Sequence, residues 1–245
     1  MKNPDAFKRA ARVSTILFFI FMLLHQTDKL LIGPLQTQVM ETFHMTYTQW
    51  GAINTGALLV GAILYSVWGW LNDRYNRGKL LALASLIWGS TTWLSAIVKT
   101  FPAFLVTRSS TGIDDSSYPG MMSLLADYYP PKSRGKVYGI LQLTQPIGYL
   151  LGMVLALVLG GVLGWRFIFY ITGSLGVVLA IAIFFGVKDV PRGSSEEELH
   201  NVEKSKYKFN WKTAIAIFKK RSLWFVFAQG FIGVFPWNVI TYYFF

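Results

Sequence analysis

Apolar stretches long enough to cross a bilayer recur along most of this chain. A membrane-spanning α-helix needs roughly 20 apolar residues. Seven runs of this kind lie at residues 13–35, 50–71, 79–98, 101–127, 135–161, 164–187 and 222–245. Hydrophobic residues make up 53% of the sequence and charged residues only 14%, which is too apolar for a soluble domain. We therefore predict an all-α membrane protein with seven candidate spans.

The net charge of +11 is spread over several segments. Most Lys and Arg residues precede the first run or lie between runs two and three, four and five, and six and seven. These four segments fall on one side of a path that crosses the membrane alternately, and basic loops mark the cytoplasmic side. We therefore predict a multi-pass protein with a cytoplasmic amino terminus, whose partners include membrane lipids and no nucleic acid.

A long charged stretch divides the sequence. We predict a six-helix transmembrane bundle over residues 1–187, a cytoplasmic linker over 188–221, and a seventh transmembrane helix over 222–245 that begins an incomplete second bundle. In the linker, Ser195 and Glu198 fit a helix-capping box. The residues that follow fit either an interfacial helix or a solvated linker. The candidate apolar face and its basic flank comprise Trp211, Ile215 and Phe218 with Lys212, Lys219 and Lys220.

Small residues recur every fourth position in the fifth run, at Gly148, Gly152, Ala156 and Gly160. This spacing puts them on one helix face, where they allow another backbone to approach closely. Pro146 predicts a bend nearby. We interpret this face as a helix-packing surface in preference to a substrate site.

Charged side chains inside the spans identify the candidate binding site, because each costs about 3 kcal/mol near the centre of a bilayer unless it finds a partner or a water-filled cavity. The residues concerned are His25, Asp28, Lys29, Arg108, Asp114 and Asp115. Asp28 and Arg108 both fall about 10 Å below the outer surface, so they can pair. Arg108 and Asp115 are two helical turns apart and would share a face near the middle of the membrane, from which Asp114 points away.

The acids of this group outnumber its Lys and Arg residues by one negative charge. One acid is therefore a candidate to bind a proton when its basic partner is withdrawn. The alternative is that the charges neutralise one another and only fix the positions of the helices. For His25 we favour a hydrogen-bonded packing role.

The sequence "GWLNDRYNRGKLL" after the second run resembles the loop that joins the second and third helices in the major facilitator superfamily. Gly69, Asp73, Arg74 and Arg77 match that loop. A second element, "ADYYPPKSRGK", resembles the family's acid-to-Arg element and contains Asp127 and Arg134. The resemblance implies that these six residues form a cytoplasmic gate. Such a gate is physically reasonable, because a carboxylate at a helix end can interact with the positive end of another helix and with an Arg four residues further along the chain.

The sequences "HQTDKLLIGPL", "DRYNR" and "RSSTGIDDSSYPGMMSLLADYY" resemble the Spinster-like branch of that superfamily. The matching residues of the first and fourth runs are Asp28, Lys29, Arg108, Gly112, Ile113 and Asp115. The chain departs from the pattern at Lys29, where the branch has Arg, at Asp114, where it has Gly, and at Asp115, where it has Glu. A Gln precedes Pro146 where the superfamily's antiporter motif has Gly.

This resemblance implies a transporter of two six-helix bundles with the site between them. The second bundle would come from further chain or from another polypeptide. We expect a secondary active transporter that works by alternating access, is coupled to protons and carries an amphipathic lipid. The alternatives are a transporter of a small organic anion or drug-like compound, or a non-transporting receptor or scaffold.

A membrane enzyme is not expected. The sequence has no cysteine, no HExxH motif, and His25 as the single histidine within a run, so nucleophilic and metal chemistry lack their parts. We predict no metal and no cofactor.

Overall fold

The computed structural model describes residues 4–196 and 216–243. The chain falls into two compact units that divide between Glu197 and Glu198. The described helices of the first unit are α1 (Pro4–Leu31), α2 (Gln36–Phe43), α3 (Tyr47–Arg74), α4 (Arg77–Ile97), α5 (Phe101–Ser109), α6 (Gly112–Asp115), α7 (Tyr118–Tyr128), α8 (Pro131–Gln142), α9 (Thr144–Leu163) and α10 (Trp165–Gly186). In the second unit, α11 covers Arg221–Tyr243. The predicted all-α class is confirmed.

Within the described ranges, four helical segments are long and apolar enough to cross a membrane, namely Tyr47–Arg74, Arg77–Ile97, Pro131–Leu163 and Trp165–Gly186. A fifth span results if α1 and α2, which meet at a bend of 60°, count as one. These segments correspond to the first, second, third, fifth and sixth apolar runs. The fourth run, residues 101–127, differs from the prediction of one continuous helix.

That fourth run is divided into α5, α6 and α7 by two pairs of hydroxyl residues. The hydroxyls of Ser110 and Thr111 donate to backbone carbonyls three or four residues earlier, and those of Ser116 and Ser117 do the same. Such local bonds offer the backbone an alternative to a regular helix. Pro119 also lacks the N–H that would continue the helix from α6 into α7. The acids of α6 therefore lie in a short helical turn between two breaks.

The glycine face of α9 packs directly against α1. A Cβ atom on Gly152 would lie 2.5 Å from the carbonyl oxygen of Thr27, and one on Gly148 would lie 2.8 Å from Cβ of Gln26. Regular α-helix is interrupted at Leu143, between α8 and α9, because Pro146 has no N–H to donate to the carbonyl of Gln142, and the two helices still form one span. The close contact holds the polar part of α1 against α9.

Two hydrophobic clusters fill the first unit, one on each side of a polar layer. Met22, Trp88 and Leu124 belong to the first cluster, and Leu31 and Phe104 belong to the second. Along α1, the buried residues 25–28 lie between Met22 and Leu31. The charged residues predicted for the site therefore lie between two apolar layers.

The basic segments meet at one end of the first unit, as the alternating path predicts. The ring of Phe7 packs against that of Tyr128 with 5.6 Å between centroids, and the Tyr128 hydroxyl bonds the carbonyl of Lys188. Arg77 contacts both Asp127 and Asp189. We call this region, formed by the start of α1 and residues 72–79, 126–134 and 187–196, the basic end.

Candidate functional site

Asp28 is the most highly connected charge in the polar layer. Its Oδ2 accepts from Nε1 of Trp88 at 3.2 Å, from the hydroxyl of Thr92 at 3.4 Å and from Nη1 of Arg108 at 3.3 Å. Its Oδ1 accepts from the hydroxyl of Thr172 at 3.1 Å. The pair with Arg108 that helix depth predicts is therefore present. Asp28 is fully bonded and ties α1 to α4, α5 and α10.

Arg108 is buried with Asp28 and also lies over an aromatic face. Its guanidinium carbon is 5.0 Å from the ring centroid of Phe169, a favourable arrangement for a desolvated cation. Arg108 and Asp28 together form a buried ion pair whose opposite charges cancel.

Lys29 and Asp115 form a second pair, which is more open. The Lys29 ammonium is 2.9 Å from Oδ2 and 3.3 Å from Oδ1 of Asp115. The Lys29 side chain is 31% exposed and that of Asp115 is 22% exposed. The two-turn spacing of Arg108 and Asp115 predicts that they share one face of a continuous helix, but the helix is broken between them.

His25 connects two residues that flank the second break of the fourth run. Its Nδ1 is 2.5 Å from the hydroxyl oxygen of Tyr118, and its Nε2 is 2.5 Å from Oδ2 of Asp114. Its Nδ1 is also 3.9 Å from Oδ1 of Asp115. His25 and Asp114 are buried. The structure thus places all six predicted site residues in one layer, with the Lys29–Asp115 pair more exposed than the other four.

The hydroxyl and indole partners of Asp28 are absent from the sequence prediction. Trp88, Thr92 and Thr172 lie in apolar runs, where single Thr and Trp residues are common and carry no distinctive spacing. Only the packing of α4 and α10 against α1 shows that they converge on one carboxylate.

Arg77 is at the centre of an ion-pair network at the basic end. The side chain is buried, with Nη1 at 2.5 Å from Oδ2 of Asp127 and Nη2 at 2.9 Å from Oδ1 of Asp189. Nη2 also donates to the carbonyl of Val190 at 2.7 Å. Asp189 in turn accepts the backbone N–H of Arg77 at 2.9 Å, which is favourable because Arg77 begins α4 and a helix start attracts negative charge.

Arg134 binds the same segment a few residues further on. Its Nη1 is 2.6 Å from Oε1 of Glu196, and its Nη2 donates to the carbonyl of Ala126 at 2.7 Å. Gly193, whose φ of 70° favours glycine, donates its N–H to Asp127 at 2.7 Å. We call Arg77, Asp127, Arg134, Asp189 and Glu196 the basic-end clasp.

The expected contact between Asp73 and an Arg four residues on is not formed. Asp73 is 69% exposed and pairs with Arg192 at 3.2 Å, because Arg77 turns toward the acids of the clasp. Arg74 lies over the ring of Trp70 at 4.2 Å. A Cβ on Gly69 would meet nothing within 4 Å.

The linker predictions are only partly covered by the described residues. The Ser195 hydroxyl donates to the carbonyl of Ala126 at 2.6 Å, next to the clasp, while Glu198 lies outside the described residues. Trp211, Lys212 and Ile215 of the predicted interfacial helix also lie outside them. Residues 218–220 are described and exposed.

Residues 17–245 match the Major Facilitator Superfamily. The chain therefore belongs to that superfamily and is a multi-pass integral membrane protein, as the resemblance of its loop motifs predicted.

The Spinster-like resemblance is also confirmed by its relatives. The chain is 28% identical over 203 residues to Protein spinster of Drosophila melanogaster, covering 82% of this chain and 33% of that protein. It is 26% identical over 197 residues to Protein spinster homolog 1 of Xenopus tropicalis, covering 79% of this chain and 37% of that protein. The chain thus spans about a third of the length of these relatives.

A solved structure shows the same fold. It is a bacterial homolog of the human lysosomal transporter Spinster, in an inward-facing and unoccupied conformation, with a TM-score of 0.70 and 22% sequence identity. The likeness covers 89% of this chain and 51% of that one.

Proposed function

We propose that this chain forms the first six-helix bundle of a secondary active transporter that works by alternating access, with a proton as the coupling ion. The substrate and the proton bind beside Lys29 and Asp115, between this bundle and a second one. That second bundle belongs to the same polypeptide or to another. The amino terminus and the basic end face the cytoplasm.

The partial exposure of the Lys29–Asp115 pair carries this proposal. The pair lies in the polar layer between two hydrophobic clusters, whereas His25, Asp28, Arg108 and the acid beside His25 are buried. A partly exposed ion pair in this polar layer would be costly if it faced lipid tails. We therefore expect it to face a water-filled cavity or another bundle. In transporters of this architecture the site lies between the two bundles.

The substrate class that we propose is an amphipathic lipid such as a lysolipid, which is what the resemblance of the sequence to the Spinster-like pattern implies. The charge pair would meet a lipid headgroup that carries both signs. A small organic anion held by Lys29, or a drug-like cation held by Asp115, is the second candidate class, because an opened pair offers either charge.

The basic-end clasp fits the predicted gate, with one change of roles. Arg77, Asp127 and Arg134 hold the segment after α10 against the bundle. Asp73 is exposed and therefore remains able to contact the second bundle. We propose that Asp73, with Gly69 and Arg74 beside it, forms the surface that meets the second bundle when the cytoplasmic side closes.

Alternating access predicts that position 29 reacts with water-soluble reagents from both sides of the membrane. The sequence has no native cysteine, so Lys29→Cys introduces a single thiol. A membrane-impermeant cationic thiosulfonate should modify it in right-side-out and in inside-out vesicles, measured by the mass of the intact protein.

The matched control is Ser116→Cys, at a position that is fully buried and should not react in folded protein. Reaction at position 29 from one side only would contradict alternating access and favour the receptor or scaffold alternative.

A further inference from the structure

Asp114 is the acid of the polar layer that no Lys or Arg neutralises in the described part of the chain. Its carboxylate is completely buried. Among the described residues, its oxygens have no partner that meets hydrogen-bond geometry, and the nearest ionisable group is His25, with Nε2 at 2.5 Å from Oδ2. A buried carboxylate with no compensating charge is strongly unfavourable. The electrostatics of Asp114 therefore depend on His25.

The other charges around His25 are already paired with each other. Lys29, one turn further along α1, is 2.9 Å from Asp115 of α6, and Arg108 of α5 is 3.3 Å from Asp28. The remaining neighbours of the imidazole are neutral, namely the Tyr118 hydroxyl of α7 and the rings of Phe21 and Trp88. The polar layer is thus electrically neutral when one proton is shared by His25 and Asp114, and carries one negative charge when that proton is lost.

We infer that the transporter stores a proton between the imidazole of His25 and the carboxylate of Asp114, behind the Lys29–Asp115 pair. This inference deepens the proposed function and rests on it. From the sequence, one of the acids was a candidate to bind the excess proton. The contacts assign that proton to the buried pair of His25 and Asp114. Since Asp114 stands where the Spinster-like pattern has Gly, the store is a feature of this chain's own sequence.

The exit for the proton that follows from this store leads to Asp115, and it requires the imidazole to leave the Tyr118 hydroxyl and come within hydrogen-bond distance of that carboxylate. Nδ1 of His25 is 3.9 Å from Oδ1 of Asp115, and Asp115 is partly exposed. In the transfer, the Nδ1–H bond breaks and an O–H bond forms on Asp115, while Nε2 of His25 keeps its hydrogen and stays beside Asp114. Protonated Asp115 no longer neutralises Lys29, which becomes able to bind an anionic group of the substrate. Before the transfer, the Tyr118 hydroxyl, bonded to the same Nδ1, holds the ring in position.

The protonation state of His25 can be read directly by nitrogen NMR. The protein contains three histidines. With ¹⁵N-labelled histidine in lipid nanodiscs, the His25 signals are those lost in His25→Gln. In the wild-type protein at pH 7.5 they should have the shifts of a doubly protonated imidazolium, and in Asp114→Asn those of a neutral ring.

Asp114→Glu should keep the imidazolium signals, because it keeps the carboxylate. Glu41→Gln, which removes an exposed acid of α2, should also keep them and serves as the matched control. A neutral His25 in the wild-type protein, or imidazolium signals that persist in Asp114→Asn, would overturn the inference.

The same signals separate this inference from the proposed function, since they do not depend on flux. An imidazolium that disappears in Asp114→Asn supports the proton store even if no transport is found, and in that case the proposed function fails alone. Proton-driven transport by a protein whose His25 is neutral overturns the store and leaves the function standing.

Discussion

Replacing Asp115 by Asn is expected to abolish uptake driven by a pH gradient while the protein still folds. The carboxylate binds Lys29 at 2.9 Å and is partly exposed, so the proposed function makes it the acid of the layer that meets water and substrate. Asn is nearly the same size but neither takes up a proton at working pH nor neutralises Lys29. The expected loss is to the background of empty vesicles, measured as substrate accumulation in proteoliposomes.

Two variants make this result specific to the carboxylate at position 115. Asp115→Glu should retain pH-driven uptake, since it keeps the charge and the Spinster-like pattern has Glu there. Glu41→Gln should behave as wild type, because Glu41 is exposed in α2. Undiminished, pH-dependent uptake by Asp115→Asn would rule out Asp115 as the coupling acid.

Replacing Arg77 by Met is expected to cause a large loss of stability. The side chain is only 2% exposed and contacts Asp127 and Asp189 at once. Its removal leaves two acids facing each other with their shared cation gone. Loss of one partner from a buried ion pair costs about 3–5 kcal/mol, which should appear in the free energy of unfolding measured in mixed micelles.

Arg74→Met is the matched control, because Arg74 ends α3 three residues before Arg77 begins α4. Arg74 is exposed and lies over Trp70, a contact worth about 0.5–1 kcal/mol at such a site. Adding Asp189→Asn to Arg77→Met should recover part of the stability by removing one unpaired charge. If Arg77→Met and Arg74→Met had equal effects, the clasp would not be a stabilising network.

Helix length and depth were enough to predict much of the fold and one contact of the site. The apolar runs located α1, α3, α4 and α10, because a bilayer fixes the length of a spanning helix. The Asp28–Arg108 pair followed from counting the rise per residue along two helices that run in opposite directions. Both predictions depend on regular helical geometry, which holds over those residues.

The second pair was not predicted, because it depends on a break in a helix. Ser110 and Thr111 interrupt the fourth run between Arg108 and Asp115, so the two-turn spacing does not put these two residues on one face. The sequence contains the breakers, but the direction in which α6 points is set by packing. Asp115 therefore pairs with Lys29 of α1 and does not lie on one helix face with Arg108.

At the basic end, the sequence predicted some residues of the clasp but not the acids that pair with them. Arg77 and Asp127 were predicted from motifs, but Asp189 and Glu196 lie in a charged segment with no helical period to place them. Their positions are set by the start of α4, by Arg134 and by the turn at Gly193. These long-range contacts have no signal in a single sequence.

The measurement that tests the central claim most directly is substrate flux into proteoliposomes under an imposed pH gradient. The protein would be purified with any partner subunit that accompanies it and offered a lysolipid, a small organic anion and a drug-like cation in parallel. We predict accumulation of the lysolipid that stops when a protonophore collapses the gradient. Ligand-induced thermal stabilisation with no flux of any of the three would contradict the account and indicate a receptor or scaffold built on a transporter fold.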